Sequence, residues 1–178
     1  MKLYTTKIKT AAIIFASMLA ISCSESADTQ SSSNEVTTSA RPSVALTSEQ
    51  VNAVVGESFT LDITMSDFPT SEGGGVNVQF DASMLNVTDV TINSATWDFV
   101  NKAGNVDNNA GLVSDILFSS FNGVSGDNNI VTITFYAISN GSSQIALTSS
   151  EINPFSSDGN KVDVTYKSTT VQIAAATN

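Results

Sequence analysis

From residue 58 to residue 173 apolar side chains recur at every second position in run after run. Phe59, Leu61 and Ile63 alternate with Ser58, Thr60, Asp62 and Thr64. Val76, Val78 and Phe80 alternate with Asn77 and Gln79, and Val131, Ile133, Phe135 and Ala137 alternate with Thr132, Thr134 and Tyr136. A period of two places the two sets on opposite faces of an extended chain, so each run predicts a half-buried strand. Shorter runs at 84–90, 96–100, 112–118, 144–148, 161–166 and 169–173 bring the expected total to about nine strands. Turn-forming clusters separate them: Gly73-Gly74-Gly75, the stretches 104–111 and 122–129, Asn140-Gly141 and Asp158-Gly159. No stretch carries a helical period, and no internal repeat is visible. Many short strands, each polar on one side, pack as two antiparallel sheets face to face. The expected fold class is therefore all-β, a single β-sandwich.

The N-terminus has a different pattern. Lys2, Lys7 and Lys9 precede an apolar run from Ala11 to Ile21, too short for a permanent membrane helix and typical of an export signal over residues 1–22. The run ends in Leu19-Ala20-Ile21-Ser22-Cys23, which resembles the lipobox of bacterial lipoproteins. That resemblance implies that Cys23 receives a diacylglycerol, that the signal is cut before it, and that the new amino group is acylated. Ser24 behind the cysteine is compatible with outer-membrane sorting. Residues 24–43 hold ten Ser or Thr in twenty positions and little that is apolar, so residues 23–43 read as an acylated cysteine and a flexible tether. A coil of that length spans roughly 25 Å. The folded domain is expected over 44–178, at the cell envelope, joined to the membrane through its lipid alone.

Composition narrows the chemistry. The 178 residues are 41% hydrophobic and 13% charged, enough chain for one domain with its own core. With one cysteine there is no internal disulfide, and with no histidine there is no Ser-His or Cys-His dyad and no His-containing zinc site. Removing the three leader lysines leaves four basic residues against 17 acidic ones, a net of −13, which repels phosphate backbones and argues against nucleic acid. The many carboxylates raise the question of glycoside cleavage, but none stands in a context that marks a raised pKa, so no enzyme and no cofactor is expected.

Several motifs together carry a family resemblance. The stretch Val76-Asn77-Val78-Gln79-Phe80-Asp81-Ala82-Ser83-Met84-Leu85-Asn86-Val87-Thr88-Asp89-Val90 is similar to the signature of cohesin domains, an alternating strand ending in an aromatic and Asp, then Leu and a second strand. Val55-Gly56-Glu57-Ser58-Phe59-Thr60-Leu61-Asp62-Ile63 resembles the family's opening strand. Ile130 to Ala137 with Gly141-Ser142-Ser143, and Asp158-Gly159-Asn160 through Val171-Gln172-Ile173, resemble its later strands and last hairpin. The resemblance spans roughly 44–173. It implies a nine-stranded antiparallel jelly-roll sandwich, related to several carbohydrate-binding modules. It also implies a non-catalytic role: cohesins bind dockerins, small calcium-loaded helical domains, through one flat sheet face, and so organise polysaccharide-degrading enzymes at a cell surface. Direct binding of polysaccharide is the alternative reading.

Alternation then names the candidate face. Gly73, Gly75, Asn77 and Gln79 point outward on one strand, and the family's middle recognition strand resembles Ile116-Leu117-Phe118-Ser119, with Leu117 and Ser119 outward. Tyr136, outward on its own strand, completes a candidate partner-binding set of Asn77, Gln79, Leu117, Ser119 and Tyr136. Phe121 shares the parity of Leu117, and is either exposed beside it or tucked under the next loop. Trp97 and Phe99 share a parity at a place where the family keeps a buried aromatic, so core packing is expected for both rather than sugar stacking. The stretch from Asn105 to Gly111 spaces oxygen-bearing side chains like part of a calcium loop, yet Ala110 and Ile116 stand where an EF-hand needs Gly and an acid. Asn and Asp also build turns, so no metal is expected there.

Overall fold

The alternating runs do form strands, but two of them are far longer than the spacing of turn residues predicts. The computed structural model describes residues 40–177; the export signal, Cys23 and most of the tether lie outside them. In chain order the strands are β1 (Ser43–Leu46), β2 (Gln50–Val54), β3 (Ser58–Gln79), β4 (Leu85–Ile92), β5 (Phe99–Asp107), β6 (Leu112–Ala137), β7 (Gly141–Ser149), β8 (Ser156–Ser157), β9 (Asn160–Lys161), β10 (Thr165–Lys167) and β11 (Thr169–Ala174). Every helix or strand among the described residues is a strand.

Strands β3 and β6 bend and serve two sheets. The first part of β3, Ser58 to Phe68, pairs with β1 and with the later part of β6, Gly126 to Tyr136. With β10 beside β1 and β4 beside β6, this makes a back sheet of order β10-β1-β3-β6-β4. The second part of β3, Gly73 to Gln79, pairs with the first part of β6, Leu112 to Ser119, and with β7. Strands β5, β11 and β2 extend it into a front sheet of order β5-β6-β3-β7-β11-β2. Only the β1-β10 and β2-β11 pairs are parallel.

The bends explain why the glycine clusters do not end strands. Register shifts crowd into Met65–Gly73 of β3, opposite Gly123 and Gly126 of β6, whose φ angles are +69° and +71°. Such positions kink and twist a strand while its ladder continues on either side. Gly74 has another reason. A Cβ placed on it would lie 2.6 Å from Cδ1 of Phe155, so only a glycine lets that ring close over the strand. Asp158-Gly159, by contrast, is the turn its sequence predicts: both residues have positive φ, and Ser157 pairs with Asn160 across it.

The core lies between the two sheets and is built on aromatic contacts. Phe135 of the back sheet stacks on Phe59 at 5.6 Å between centroids and meets Phe80 edge-on at 5.8 Å. On the other side Phe118 packs against Trp97 at 4.6 Å and Phe155 at 5.6 Å, and Phe155 against Phe68 at 4.8 Å. Trp97, Phe118 and Phe135 are fully buried, and burying each such side chain contributes about 1.5–3 kcal/mol. Trp97, although it lies before β5 and not on one strand face with Phe99, is therefore core, as expected. Phe99 is not: it is 53% exposed, because β5 is an edge strand with little packed over it.

Candidate functional site

Alternation builds the outer face of the front sheet. In β6 the side chains of Val113, Ile116 and Phe118 are wholly buried, which turns Leu117 and Ser119 outward. In β3 the buried pair Val76 and Val78 turns Gly75, Asn77 and Gln79 outward. The register sets Gly75 beside Leu117 and Gly73 beside Ser119. Gly75 leaves a low spot, filled from both sides: a Cβ there would meet Cδ2 of Leu117 at 2.7 Å and Cβ of Ser150 at 2.8 Å.

Asp115 stands at an irregularity in the middle of this face, with a left-handed φ of 56°. An extra residue of β6 opposite Asn77 forces that conformation, and Asn77 holds it. The Asn77 Oδ1 accepts the Asp115 N–H at 2.8 Å, and its Nδ2 donates to the Ser149 carbonyl at 3.0 Å. The Asn77 amide thus ties β6, β3 and β7 together and has little left for a partner. The Asp115 carboxylate accepts from Ser150 Oγ at 2.9 Å and lies 4.0 Å from Lys102 Nζ. That pair is partly exposed and contributes little to stability, but it sets a fixed pair of opposite charges on the face.

Four of the five candidate residues, Asn77, Gln79, Leu117 and Ser119, share this face. Tyr136 does not. It lies beyond the bend of β6, pairs with Ser58 and Asn86, and points outward from the back sheet. Alternation tells which side of its own sheet a residue faces, not which sheet its strand joins.

The strongest feature of the face is apolar. Phe99 is the cross-strand partner of Ser119 and faces outward with it. Phe121, two residues beyond Ser119, is 86% exposed and covered by no loop. Its backbone is pinned, since its N–H and Ser120 Oγ both donate to Asp98 Oδ2, at 3.2 and 2.9 Å. Ile152, 71% exposed, lies in the loop after β7, next to Asn153, whose carbonyl reaches the Gly75 position. Phe99, Phe121 and Ile152 are exposed and Leu117 is half-buried, so the face and its edge carry apolar surface beside a polar centre, a composition found at protein interfaces. The sequence signals Phe121 through the Leu117–Ser119 parity; it carries no signal for Phe99, Lys102 or Ile152, which pairing and a loop bring there.

The stretch from Asn105 to Gly111 is the end of β5 followed by a turn over residues 108–111. Asp107 Oδ1 accepts the N–H groups of Asn109 and Ala110, both at 3.0 Å, and the Asn108 amide makes two bonds to the Val87 backbone, at 2.7 and 3.0 Å. No group of three or more His, Cys, Asp or Glu side chains converges among the described residues. After β3, Ser83 donates to Asp81 from both its N–H and its Oγ, which holds the Asp81 carboxyl below its ordinary pKa.

Comparison with known proteins places the fold. The family model described as Cohesin domain matches residues 44–173. Similar solved structures include a non-cellulosomal cohesin from the archaeon Archaeoglobus fulgidus, with 18% identity, a TM-score of 0.64, and coverage of 76% of this chain and 92% of that one. A type I cohesin–dockerin complex from Clostridium thermocellum, formed by Coh-OlpC and Doc435, matches with 16% identity, TM-score 0.62, and coverage of 76% and 95%. The solution structure of CaCohA2 from Clostridium acetobutylicum matches with 20% identity, TM-score 0.58, and coverage of 74% and 90%. A search of curated proteins finds no match. An all-strand sandwich that fits these structures end to end, and a family model covering nearly all its folded residues, lead to one conclusion: the chain belongs to the cohesin domain family.

Proposed function

We propose that this chain is a non-catalytic, lipid-anchored surface module that captures a dockerin-type protein on the outer face of its front sheet, and so holds a polysaccharide-degrading partner near the cell. The observation that carries the reading is the exposed Phe121 side chain, on a backbone tied to Asp98, together with Phe99 and Leu117. An aromatic side chain has only two rotatable bonds to order on binding and gains a large contact area, the usual profile of an interface anchor. Two of the similar structures bear on the partner: the Clostridium thermocellum complex pairs its cohesin with a dockerin, and so does the complex of CaDoc0917 with CaCohA2. The anchor rests on the lipobox-like Leu19 to Cys23 and on the polar tether after it. The link to polysaccharide breakdown rests on the family resemblance.

The test is a titration of the full chain with a panel of calcium-loaded dockerins, followed in amide spectra. Saturable shifts at Phe99, Leu117, Ser119 and Phe121 support the reading. Binding that leaves these four signals in place contradicts it.

A further inference from the structure

The back sheet carries a cavity that the front-face reading leaves without a role. It lies at the end of β4, where Thr91 is the register partner of Thr132 in β6, and it has a volume of about 450 Å³, within the usual size of small-molecule sites. Its polar lining is Thr91, Asn93, Ser94, Asn129 and Thr132, and Ile92 and Ala95 supply its aliphatic part. No charged side chain lines it.

The hydrogen bonds behind the lining set its polarity. Thr132 Oγ1 donates to Asp62 Oδ1 at 2.5 Å and Thr91 Oγ1 donates to Asp89 Oδ2 at 2.6 Å. With their protons committed to carboxylates, both hydroxyl oxygens have only lone pairs to offer. Each is also made a better acceptor by the charge behind it. Asn129 also lines the cavity, though its Oδ1 is itself buried and has no partner among the described residues.

We propose that this cavity binds a neutral polyhydroxylated ligand, one or two rings of a sugar chain, on the sheet opposite the protein-binding face. Sugar hydroxyls supply the donors that Thr91 and Thr132 lack, and an aliphatic C–H face of the ring fits Ile92 and Ala95. A metal ion finds no carboxylate in the lining. An ammonium group would satisfy the acceptors but would leave the aliphatic part unused.

The experiment is a titration of the ¹⁵N-labelled full chain with cellohexaose, xylohexaose and mannohexaose, with spermidine as the cationic alternative. The inference expects saturable shifts confined to residues 91–95, Asn129 and Thr132 with at least one of the saccharides. It also expects the double variant Thr91→Val with Thr132→Val, which keeps the branched shape of both side chains, to weaken binding about tenfold or more while the rest of the spectrum stays native. Phe121→Ser on the front sheet leaves the saccharide titration unchanged. The inference is overturned by an absence of shifts with all three saccharides at about 10 mM, by a response to spermidine alone, or by shifts that map elsewhere.

Discussion

Asn77 shows how one residue can look like a contact and act as a brace. Alternation alone turns it outward, and an outward amide on a recognition strand reads as a group for a partner. In the structure it closes the gap that the Asp115 irregularity opens, taking the Asp115 N–H and giving a proton to the Ser149 carbonyl. Asn77→Ala leaves a part-buried N–H and a carbonyl unpaired, so a loss of about 1–3 kcal/mol is expected in chemical denaturation. Gln79, exposed on the same strand, is expected to change stability little when made Ala. The sequence could place Asn77 on the right face. It could not show the extra residue in β6, because an irregularity belongs to a pair of strands and not to either one.

At the scale of elements, the strand faces were legible and the strand ends were not. Phe59, Leu61, Ile63, Val131, Ile133 and Phe135 all declare which side is buried. But Gly73-Gly74-Gly75 and the stretch 122–129 carry the composition of turns, and both lie inside strands. Those glycines serve bends and close approach, and composition does not separate a bend from an end. Alternation also leaves open which sheet a run joins, so the split of the candidate set, with Tyr136 on the far side of the β6 bend, did not show. Gly74 tests the close-approach account. Gly74→Ala drives a methyl group into the Phe155 ring and should cost about 1–3 kcal/mol of stability, measured as a lower denaturation midpoint. Phe155→Leu in the same chain should remove most of the clash, so the double variant should cost less than the sum of the singles.

At the largest scale, the described residues form a sandwich with two separate outer faces. The front sheet presents Phe99, Leu117 and Phe121; the back sheet presents hydroxyls and the cavity at Thr91 and Thr132. The two proposed sites use different sheets, so no competition between their ligands is expected. Attachment to a membrane belongs to this scale too. Several acyl chains on Cys23 would hold the protein stably, each buried CH₂ contributing about 0.8 kcal/mol. In bacterial cells fed radiolabelled palmitate, the chain should take up label and sediment with membranes, whereas Cys23→Ser should lose both properties. Label retained by the serine variant would contradict the anchor.

The most direct test of the central claim compares three proteins against one calcium-loaded dockerin that binds the wild type, by titration calorimetry. Loss of the exposed ring in Phe121→Ser should weaken binding about tenfold or more, while Tyr136→Ala on the back sheet should stay within about twofold of wild type. The reverse pattern, with Tyr136 essential and Phe121 dispensable, would place the partner on the other sheet and contradict the account.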